Sequence, residues 1–554
     1  MFFGEIDTAG AAGAILAHSV KLDGKTFKKG RVLGAADVHT LLQADINKIV
    51  GARLEAHDVH EDAAAEQLGA VLGGAHVTTK APFTGRVNLY ADAPGVLCLE
   101  PHAVHMINSV HESITIATLP PWTWVKARQM IATIKVIPFA VARANLELTL
   151  AHAQAAPVSV SPMRARTAVL IQTTLPGMRA SILDKTVRVL EARLGAIGIE
   201  LTAERRVAHQ VGATAAAVTA LAADADMILI AGASAIVDRR DVVPSAIEAA
   251  GGEVVHFGMP VDPGNLILLA RRNGKPVLGL PGCARSPALN GVDLVLQRIA
   301  AGLQVDSAAI MQMGVGGLLK EFSGRPTPRA GERTVEPVTA PKVAAVVLAA
   351  GQSRRMGAVN KLLVEVDGQA MVVTAVKQAL ASGFDSVVVV TGHESERVRT
   401  ALAGLPVAFQ HNPDFADGLS TSLVTGVRAL TNDIDAAVVC LADMPRVTAR
   451  VLERLVAAYD PVEGRAICVP TWHGKRGNPI LWDRSFFAQI AEVAGDIGAR
   501  HLLGEYQEQV CEVAMTDAAV VSDIDSPADL QALLAQDDAS SAASASRGDE
   551  VKPS

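Results

Sequence analysis

The chain has 554 residues, half of them hydrophobic, and a formal net charge of −7. This mildly acidic balance argues against non-specific nucleic-acid binding, which needs a basic surface, and the length predicts three or four domains. Five widely spaced cysteines without a CxxC pair predict reduced thiols in a cytoplasmic protein, neither a disulfide framework nor a zinc site. No apolar run approaches about 18 residues, the length of a membrane span, so no membrane partner is expected.

Residues 1–160 predict an accessory region of mixed α+β type. Helices are predicted over 35–50 and 61–72, and short β-like segments follow over 85–91, 95–100 and 113–119. Three histidines, at 102, 105 and 111, are close in sequence, but their spacing matches no zinc pattern. The role of this region does not follow from its sequence.

Residues 161–319 alternate between strands and helices. The segments are strand 167–174, helix 182–198, strand 225–232, helix 243–251 and strand 276–282. Such alternation predicts a doubly wound, mostly parallel sheet with helices on both faces.

A proline-rich, charged segment over 320–342 predicts a linker. The small, polar residues of 536–554 predict a disordered tail. Between them, residues 343–535 predict a second doubly wound, Rossmann-like α/β domain, whose apolar strands lie over 342–351, 384–392, 406–412, 435–445 and 466–472. Ligands of such sheets bind at the carboxyl ends of the strands.

One of those strand ends carries an unusual loop, "LAAGQSRRMG" followed by "NKLL". Gly351 lets an anion approach the main chain, and successive N–H groups from Ala349 to Ser353 could form an anion nest. Arg354 and Arg355 offer forked donors, and Lys361 adds a compact charge. The loop is neither a Walker loop nor a dinucleotide fingerprint, so it predicts a different polyphosphate site. The alternative is an ordinary surface turn that binds no ligand and whose arginines are solvated.

This loop resembles the signature of the MobA-like nucleotidyltransferases, and the resemblance covers about 343–535. It implies attack by a phosphorylated acceptor on the α-phosphate of an NTP. It also implies catalytic roles for Arg354 and Lys361. The nucleotide-binding residues that it implies in the loop are Leu348, Ala349, Ala350, Gly351, Ser353 and Arg355.

A metal site is implied by the same resemblance. "CLADMP" places Asp443 after a strand, and carboxylates suit the Mg²⁺ that phosphoryl chemistry needs. The alternative is an acidic turn residue before a proline. Asp525, or else Asp523, is expected to give a second metal contact, while Ser526 and Asp529 suit the cap of a last helix.

Further segments resemble the molybdenum cofactor cytidylyltransferase branch of the family. "HNPDFADGLSTSL" implies nucleotide contacts from Asn412, Gly418, Ser420 and Ser422, although Ser420 could equally be a helix N-cap. "RGNP" contains Arg476 and Asn478, which are implied to contact the pterin. Since "LAAG" has Ala350 where the guanylyl branch has glycine, CTP is expected rather than GTP.

Residues 165–305 resemble the MoaB/Mog and MoeA molybdopterin-binding domain through "AGASAIVDRRDVVPSAI" and "GLPGCARSP". The implied pterin-binding residues are Gly232, Ser234, Asp241 and Gly282, with Arg239 and Arg240 available for the pterin phosphate. His209 stands where the family has a second functional aspartate. Binding of molybdopterin without adenylylation is therefore expected, and a degenerate, purely structural domain is the alternative.

Together these segments predict an enzyme of molybdenum cofactor maturation. It would transfer CMP from CTP to Mo-molybdopterin and release pyrophosphate, with Mg²⁺ as cofactor and a molybdenum oxidoreductase as a possible client. Two alternatives remain open. One is a guanylyltransferase or an NTP transferase acting on another phosphorylated acceptor. The other is a non-catalytic carrier that hands finished cofactor to an apo-enzyme.

Overall fold

The computed structural model describes residues 1–22, 25–155, 157–319, 339–353, 359–366, 368–461, 464–493, 498–524, 526 and 528–531. Most of the predicted linker, all of the predicted tail, and Arg354, Arg355 and Asp525 lie outside the described residues. Within the described part of the chain, no helix is long and apolar enough to cross a bilayer.

Residues 1–53 surround a small core that includes Leu16, Leu33 and Leu41. Their elements are β1 (Phe2–Asp7), β2 (Ile15–Leu16), β3 (Val20–Leu22), β4 (Lys25–Phe27), α1 (Ala35–Gln43) and β5 (Lys48–Arg53). The prediction of one helix over 35–50 is wrong in its second half. Asp45 has a φ of 61°, and Lys48–Arg53 pairs antiparallel with β1, because the sheet gives these backbone groups hydrogen-bond partners that an isolated helix end lacks.

Residues 58–162 build a second, larger core around α2. The elements are β6 (Asp58–His60), α2 (Glu61–Leu72), β7 (Val77–Thr79), β8 (Arg86–Ala91), β9 (Gly95–Cys98), α3 (Pro101–Asn108), β10 (Ile114–Thr118), β11 (Trp124–Val125), β12 (Met130–Val136), β13 (Ala140–Ala142), α4 (Arg143–Ala155) and β14 (Ser159–Pro162). The helix predicted over 61–72 and the three short strands are present. The accessory region thus contains two separate cores.

Glu61, the first residue of α2, carries a carboxyl group that is packed against the backbone. An ideal Cβ added at Gly85 would lie 2.5 Å from its Oε2. Burial is the main cause that raises the pKa of Glu61 to about 7, while Lys135, whose Nζ lies 3.8 Å from Oε2, opposes it. The folded state therefore holds this proton more tightly than the unfolded chain. Above pH 7 the ionised carboxylate lowers the free energy of unfolding. That free energy is recovered as the pH falls from 7 toward the ordinary pKa of a glutamate.

Glu61→Gln is therefore expected to raise the melting temperature at pH 8, by about 2–4 °C if 1 kcal/mol is gained. The gain should shrink as the pH falls below 7, which thermal unfolding at several pH values would show. Glu66→Gln is the matched control, because Glu66 is an exposed residue of the same helix and is paired with the exposed Arg450 at 3.5 Å. A gain that does not change with pH, or a loss at pH 8, would contradict this assignment.

Residues 163–319 form the first large α/β domain. Its elements are β15 (Thr167–Thr174), α5 (Ala180–Gly195), β16 (Glu200–Ala208), α6 (Val211–Leu221), β17 (Met227–Ala231), α7 (Val242–Ala249), β18 (Glu253–Phe257), β19 (Leu268–Arg272), β20 (Lys275–Leu280), α8 (Gly291–Ala300) and α9 (Ser307–Met311). Within the described residues the strand order is β16-β15-β17-β20-β19-β18. The first four strands are parallel, and β19 and β18 are antiparallel additions. Apolar cores cover both faces of the sheet.

The second large α/β domain begins after the linker. Its elements are β21 (Val343–Ala349), β22 (Glu365–Val366), β23 (Gln369–Ala370), α10 (Met371–Ala381), β24 (Ser386–Thr391), α11 (Ser395–Ala401), β25 (Ala408–His411), α12 (Leu419–Arg428), β26 (Ala436–Leu441), α13 (Ala449–Ala458), β27 (Ile467–Trp472), β28 (Lys475–Arg476), β29 (Ile480–Asp483), α14 (Phe487–Ile490), α15 (Leu502–Glu505) and β30 (Val510–Ala514). The described strands run β25-β24-β21-β26-β29-β27-β28, with β30 beside β27. Every residue of β21 is buried, which is why its sequence is uniformly apolar.

The accessory region contacts both large domains. Ser161 Oγ donates to the carbonyl of Ala301 at 2.8 Å. On the other side, Arg128 forms an ion pair with Asp385 at 2.5 Å and donates to the carbonyl of Pro341 at 2.6 Å. These contacts anchor the accessory region beside the start of the second sheet. The predicted fold class, two doubly wound sheets with an additional α+β region, is confirmed.

Candidate active site

The loop after β21 leaves the sheet at its carboxyl edge. Ala350 is buried, and Ser353 has a φ of 53°, a left-handed conformation that turns the chain sharply. The hydroxyl oxygen of Ser353 accepts the backbone N–H of Lys361 at 3.1 Å. This bond closes the loop and brings Lys361 back to the end of β21. Arg354 and Arg355 lie outside the described residues.

Lys361 meets Asp443, which follows the neighbouring parallel strand β26. The Nζ of Lys361 lies 2.6 Å from Asp443 Oδ2, and the two side chains are only 12% and 18% exposed. Burial raises the pKa of Asp443, and its ion pair with Lys361 opposes that rise without cancelling it. The other carboxylate oxygen, Oδ1, is buried and has no hydrogen-bond partner among the described residues. The predicted catalytic lysine and metal-binding aspartate are therefore side by side.

The segment that follows β30 reaches the same place. The N–H of Ile524 donates to the backbone carbonyl of Asp443 at 3.1 Å, and repulsion from Asp523 contributes to the raised pKa of Asp443. Asp525, the predicted second metal ligand, lies outside the described residues. Ser526 and Asp529 exchange side-chain and backbone hydrogen bonds, as predicted for a helix cap.

The residues present fit a hard divalent cation. A buried carboxylate oxygen without a partner, next to a second carboxylate, is a donor set that suits Mg²⁺. In the described ranges, no group of three or more His, Cys, Asp or Glu side chains could hold a metal.

The predicted nucleotide segment packs beside this edge. Asn412 is buried, and its Nδ2 donates to Thr421 Oγ1 at 2.9 Å and to Ser422 Oγ at 3.0 Å. The alternative of an N-cap at Ser420 is wrong, because Gly418, with a φ of 115°, occupies the cap position and Ser420 lies inside α12. Glycine is needed there because the left-handed region disfavours side chains. Asn412 and Ser422 thus hold the shape of the segment.

A neighbouring group of residues was missed by the sequence analysis. The N–H of His393, just after β24, donates to the carbonyl of Ala350 at 3.3 Å, and its ring lies 6.0 Å from that of Phe415. An ideal Cβ at Gly392 would lie 2.5 Å from Phe415 Cβ and 2.8 Å from Ala350 Cβ. Only glycine lets these segments approach so closely. The signal in the sequence was a glycine directly after the apolar strand β24.

The "RGNP" loop is fastened to the surrounding structure. Arg476 forms an ion pair with Glu512 at 2.9 Å, and the N–H of Asn478 donates to the carbonyl of Val520 at 2.8 Å. An added Cβ at Gly477 would lie 1.9 Å from that same carbonyl oxygen. Arg476 therefore already has a carboxylate partner, and a pterin ligand would have to compete with it.

In the first large domain, a cleft opens where β17 and β20 end. The cleft is lined by three of the four pterin-binding residues predicted in this domain, namely Gly232, Ser234 and Gly282. Arg285 also lines it. Arg285 Nη2 donates to the carbonyl of Gly232 at 2.9 Å, which ties the two loops together. Asp241 instead caps α7 by accepting the N–H of Val242 at 2.7 Å.

The two arginines predicted to contact the pterin phosphate have other partners. Arg240 forms an exposed ion pair with Asp238 at 2.9 Å, and Arg239 donates to the carbonyl of Val254 at 3.4 Å. Arg285 is the arginine that lines the cleft. Arg285 belongs to the segment "GLPGCARSP", but the sequence analysis did not identify it as a ligand-binding residue.

His209 lies at the same carboxyl edge, directly after β16, the strand next to β15. Its Nδ1 lies 2.8 Å from Thr173 Oγ1, and the N–H of Ala233 donates to that hydroxyl oxygen at 2.7 Å. A hydroxyl that accepts from Ala233 is free to donate to a neutral imidazole nitrogen. His209 is therefore linked through Thr173 to the loop that lines the cleft.

Comparison with known proteins supports the predicted resemblance. A family model described as MobA-like NTP transferase domain matches residues 345–510, and one described as probable molybdopterin binding domain matches 167–301. A domain of unknown function matches 5–53.

Curated relatives cover about a third of this chain. The purine catabolism protein PucB of Bacillus subtilis is 32% identical over 201 residues, which are 34% of this chain and 93% of that protein. The nicotine blue oxidoreductase of Paenarthrobacter nicotinovorans is 27% identical over 199 residues, 35% of this chain and 97% of that protein. The molybdenum cofactor cytidylyltransferase of Escherichia coli is 26% identical over 187 residues, 33% of this chain and 91% of that protein. The chain therefore belongs to the MobA-like NTP transferases, a nucleotidyltransferase family related to molybdenum cofactor maturation, and carries a second domain of the molybdopterin-binding type.

Proposed function

We propose that this protein transfers CMP from CTP to molybdenum-bound molybdopterin and releases pyrophosphate. A phosphate oxygen of the pterin attacks the α-phosphate of CTP, the bond between the α-phosphorus and the bridging oxygen breaks, and pyrophosphate leaves. The nucleotide domain supplies positioning and charge, because such reactions need little covalent chemistry from the protein. The product would then pass to a molybdenum oxidoreductase.

The pairing of Lys361 with Asp443 carries this proposal. Both side chains are largely buried at the carboxyl ends of neighbouring parallel strands, where ligands of open α/β sheets bind. The amino group of Lys361 can approach a phosphate oxygen and stabilise negative charge that develops there. Asp443, with Asp525 or else Asp523, would hold Mg²⁺, which neutralises phosphate charge when it is bound. Arg354, Arg355 and the amides of Gly351 and Ser353 are the proposed contacts to the β- and γ-phosphates.

The acceptor site of the proposal is the cleft between β17 and β20. Gly232 and Gly282 line the two loops, and Arg285 adds a forked cation, a combination that suits a phosphorylated ligand. His209 rather than a carboxylate stands beside this cleft, and imidazole is a poor ligand for Mg²⁺. The cleft would therefore bind the pterin without activating it with ATP, and the linker would raise the pterin concentration near the second domain.

The choice of nucleotide gives a direct test. Because Ala350 stands where the guanylyl branch has glycine, and its methyl group lies against Gly392, we propose that this loop leaves less room for a purine base. CTP is expected to exceed GTP in kcat/KM by about tenfold or more, since one misfitted group costs about 1–3 kcal/mol. Side-by-side assays with Mo-molybdopterin would measure this ratio, and Ala350→Gly should narrow it. A preference for GTP would overturn the assignment of the base.

Arg285→Met is expected to raise the KM for the pterin about tenfold, because a charge-assisted hydrogen bond contributes about 1.5–3 kcal/mol. The KM for CTP should stay unchanged, since the nucleotide binds in the other domain. Arg240→Met is the matched control, because Arg240 lies on the loop before α7 but forms an exposed ion pair with Asp238. Equal effects of both variants would show that the cleft is not the acceptor site.

Product analysis separates the proposal from its alternatives. Release of pyrophosphate from CTP only when the pterin is present supports a transferase, whereas binding of finished cofactor without any release of pyrophosphate would indicate a carrier. Mass spectrometry of the nucleotide attached to the pterin distinguishes cytidylyl from guanylyl transfer. Turnover with another phosphorylated acceptor, but not with molybdopterin, would show that the other acceptor is the substrate and that molybdopterin is not.

A further inference from the structure

Two cysteines far apart in sequence are direct neighbours in the second sheet. Cys468 on β27 and Cys511 on β30 are paired residues in the register of these parallel strands. Paired residues of adjacent strands lie about 4.8 Å apart, which falls within the range of about 4.4–6.8 Å that a disulfide requires between Cα atoms. Both side chains belong to the apolar core on the same face of the sheet, so their thiols point the same way. Both are free cysteines.

The two thiols differ in their surroundings. Cys468 is completely buried, whereas Cys511 is partly exposed. A hydrogen bond from Cys468 is the main cause that lowers the pKa of Cys511. The nearby cations Arg465 and Lys28 lower this pKa further, whereas burial and the charge of Glu512 raise it. The same contact, together with burial, raises the pKa of Cys468. The outer thiol is therefore the more acidic one, as in pairs where one cysteine reacts and the other resolves.

We propose that Cys468 and Cys511 form a reversible disulfide when the protein meets a peroxide. The thiolate of Cys511 attacks one peroxide oxygen and becomes a sulfenic acid, while the O–O bond breaks and hydroxide leaves. The thiol of Cys468 then attacks the Cys511 sulfur, the sulfenic oxygen leaves as water, and the disulfide forms. A small dithiol reverses the reaction by exchange.

The cross-link would join structures that border the candidate site. β27 leads directly into the hairpin that carries Arg476 and the "RGNP" loop, while β30 carries Glu512, the partner of Arg476. Lys28, from the unit of residues 1–53, donates to the carbonyl of Val510 at 2.8 Å, next to Cys511. Oxidation would therefore join β27 and β30 covalently, and both the "RGNP" loop and the unit of residues 1–53 contact this strand pair.

The experiment uses the reduced full chain, treated with a small excess of hydrogen peroxide, digested under non-reducing conditions and analysed by mass spectrometry. A cross-linked peptide that contains Cys468 and Cys511, and that disappears after dithiothreitol, is the expected result. Cys98 and Cys283, which are also half-buried but have raised pKa values, serve as internal controls and should stay reduced.

Two variants separate the steps of the proposal. In Cys468→Ala, Cys511 should accumulate as a sulfenic acid that dimedone traps, because the resolving thiol is gone. In Cys511→Ser, Cys468 should remain reduced at the same peroxide dose, because it is buried. Oxidation of Cys98 or Cys283 as fast as Cys511, or recovery of both Cys468 and Cys511 as free thiols, would overturn the proposal.

Discussion

Asp443→Asn is expected to lower the rate of pyrophosphate release by about 10²–10³-fold while the protein remains folded. The amide keeps the size of the side chain but removes the charge that would hold Mg²⁺ against the phosphates, and loss of one electrostatic contact of this kind costs about that much in kcat. The fold should not suffer, because burial raises the pKa of Asp443 and thus already opposes its charge. The melting temperature should therefore be unchanged or higher.

Asp433→Asn is the matched control for this variant. Asp433 lies before the opposite end of β26, where it is paired with Lys342 at 2.6 Å and exposed to solvent. Its removal should leave the release of pyrophosphate unchanged. Wild-type activity of Asp443→Asn in Mg²⁺, with CTP and the pterin saturating, would exclude Asp443 as the metal ligand.

Lys361→Met is expected to reduce kcat by about 10²-fold, and unlike Asp443→Asn it should also destabilise the protein. Methionine fills a similar volume but leaves the buried carboxylate of Asp443 without its cation. The pKa of Asp443 should rise further, because the charge and the hydrogen bond of Lys361 are the two main causes that lower it. An unpaired buried group of this kind costs about 1–3 kcal/mol of unfolding free energy.

The double variant Lys361→Met with Asp443→Asn separates stability from catalysis. It should recover most of the lost unfolding free energy, since no uncompensated charge remains, but none of the activity. Chemical denaturation and the pyrophosphate assay measure the two quantities on the same samples. If the double variant is less stable than both single variants, the ion pair is not the reason for the loss.

Eight strands of the two large sheets could be predicted, because most of their sequences are nearly continuous apolar runs. The strands β16, β18, β19, β28, β29 and β30 were not predicted, and β16 has a mostly exposed, charged sequence. β15 spans Thr167–Thr174, the whole of the predicted segment, and β21 lies within its predicted range. The helix predicted over 35–50 failed because its apolar pattern did not reveal that Lys48–Arg53 would pair with a strand at the chain start. Helical period and strand alternation are hard to separate over so few residues.

The candidate site was only partly predictable for a related reason. Gly351, Ser353, Lys361 and Asp443 were identified because they follow apolar strands in a recognisable spacing, and strand ends are where ligands bind. His393 and Arg285 were missed as individual contacts, since nothing near them in sequence shows that they face Ala350 and Gly232. The assignment of Ser420 as a possible cap failed because the left-handed geometry of Gly418 determines where α12 begins.

The sequence by itself determined the fold class and the family, and it predicted a phosphate-binding loop, because these depend on local patterns of apolar runs, glycines and charges. Only the tertiary structure decided that Lys361 and Asp443 form a buried pair, that Arg285 rather than Arg240 lines the cleft, and that Cys468 faces Cys511. Each of these is a contact between residues many positions apart. Such contacts depend on strand order and register, which arise when the whole sheet buries its two faces and therefore cannot be derived from any one segment.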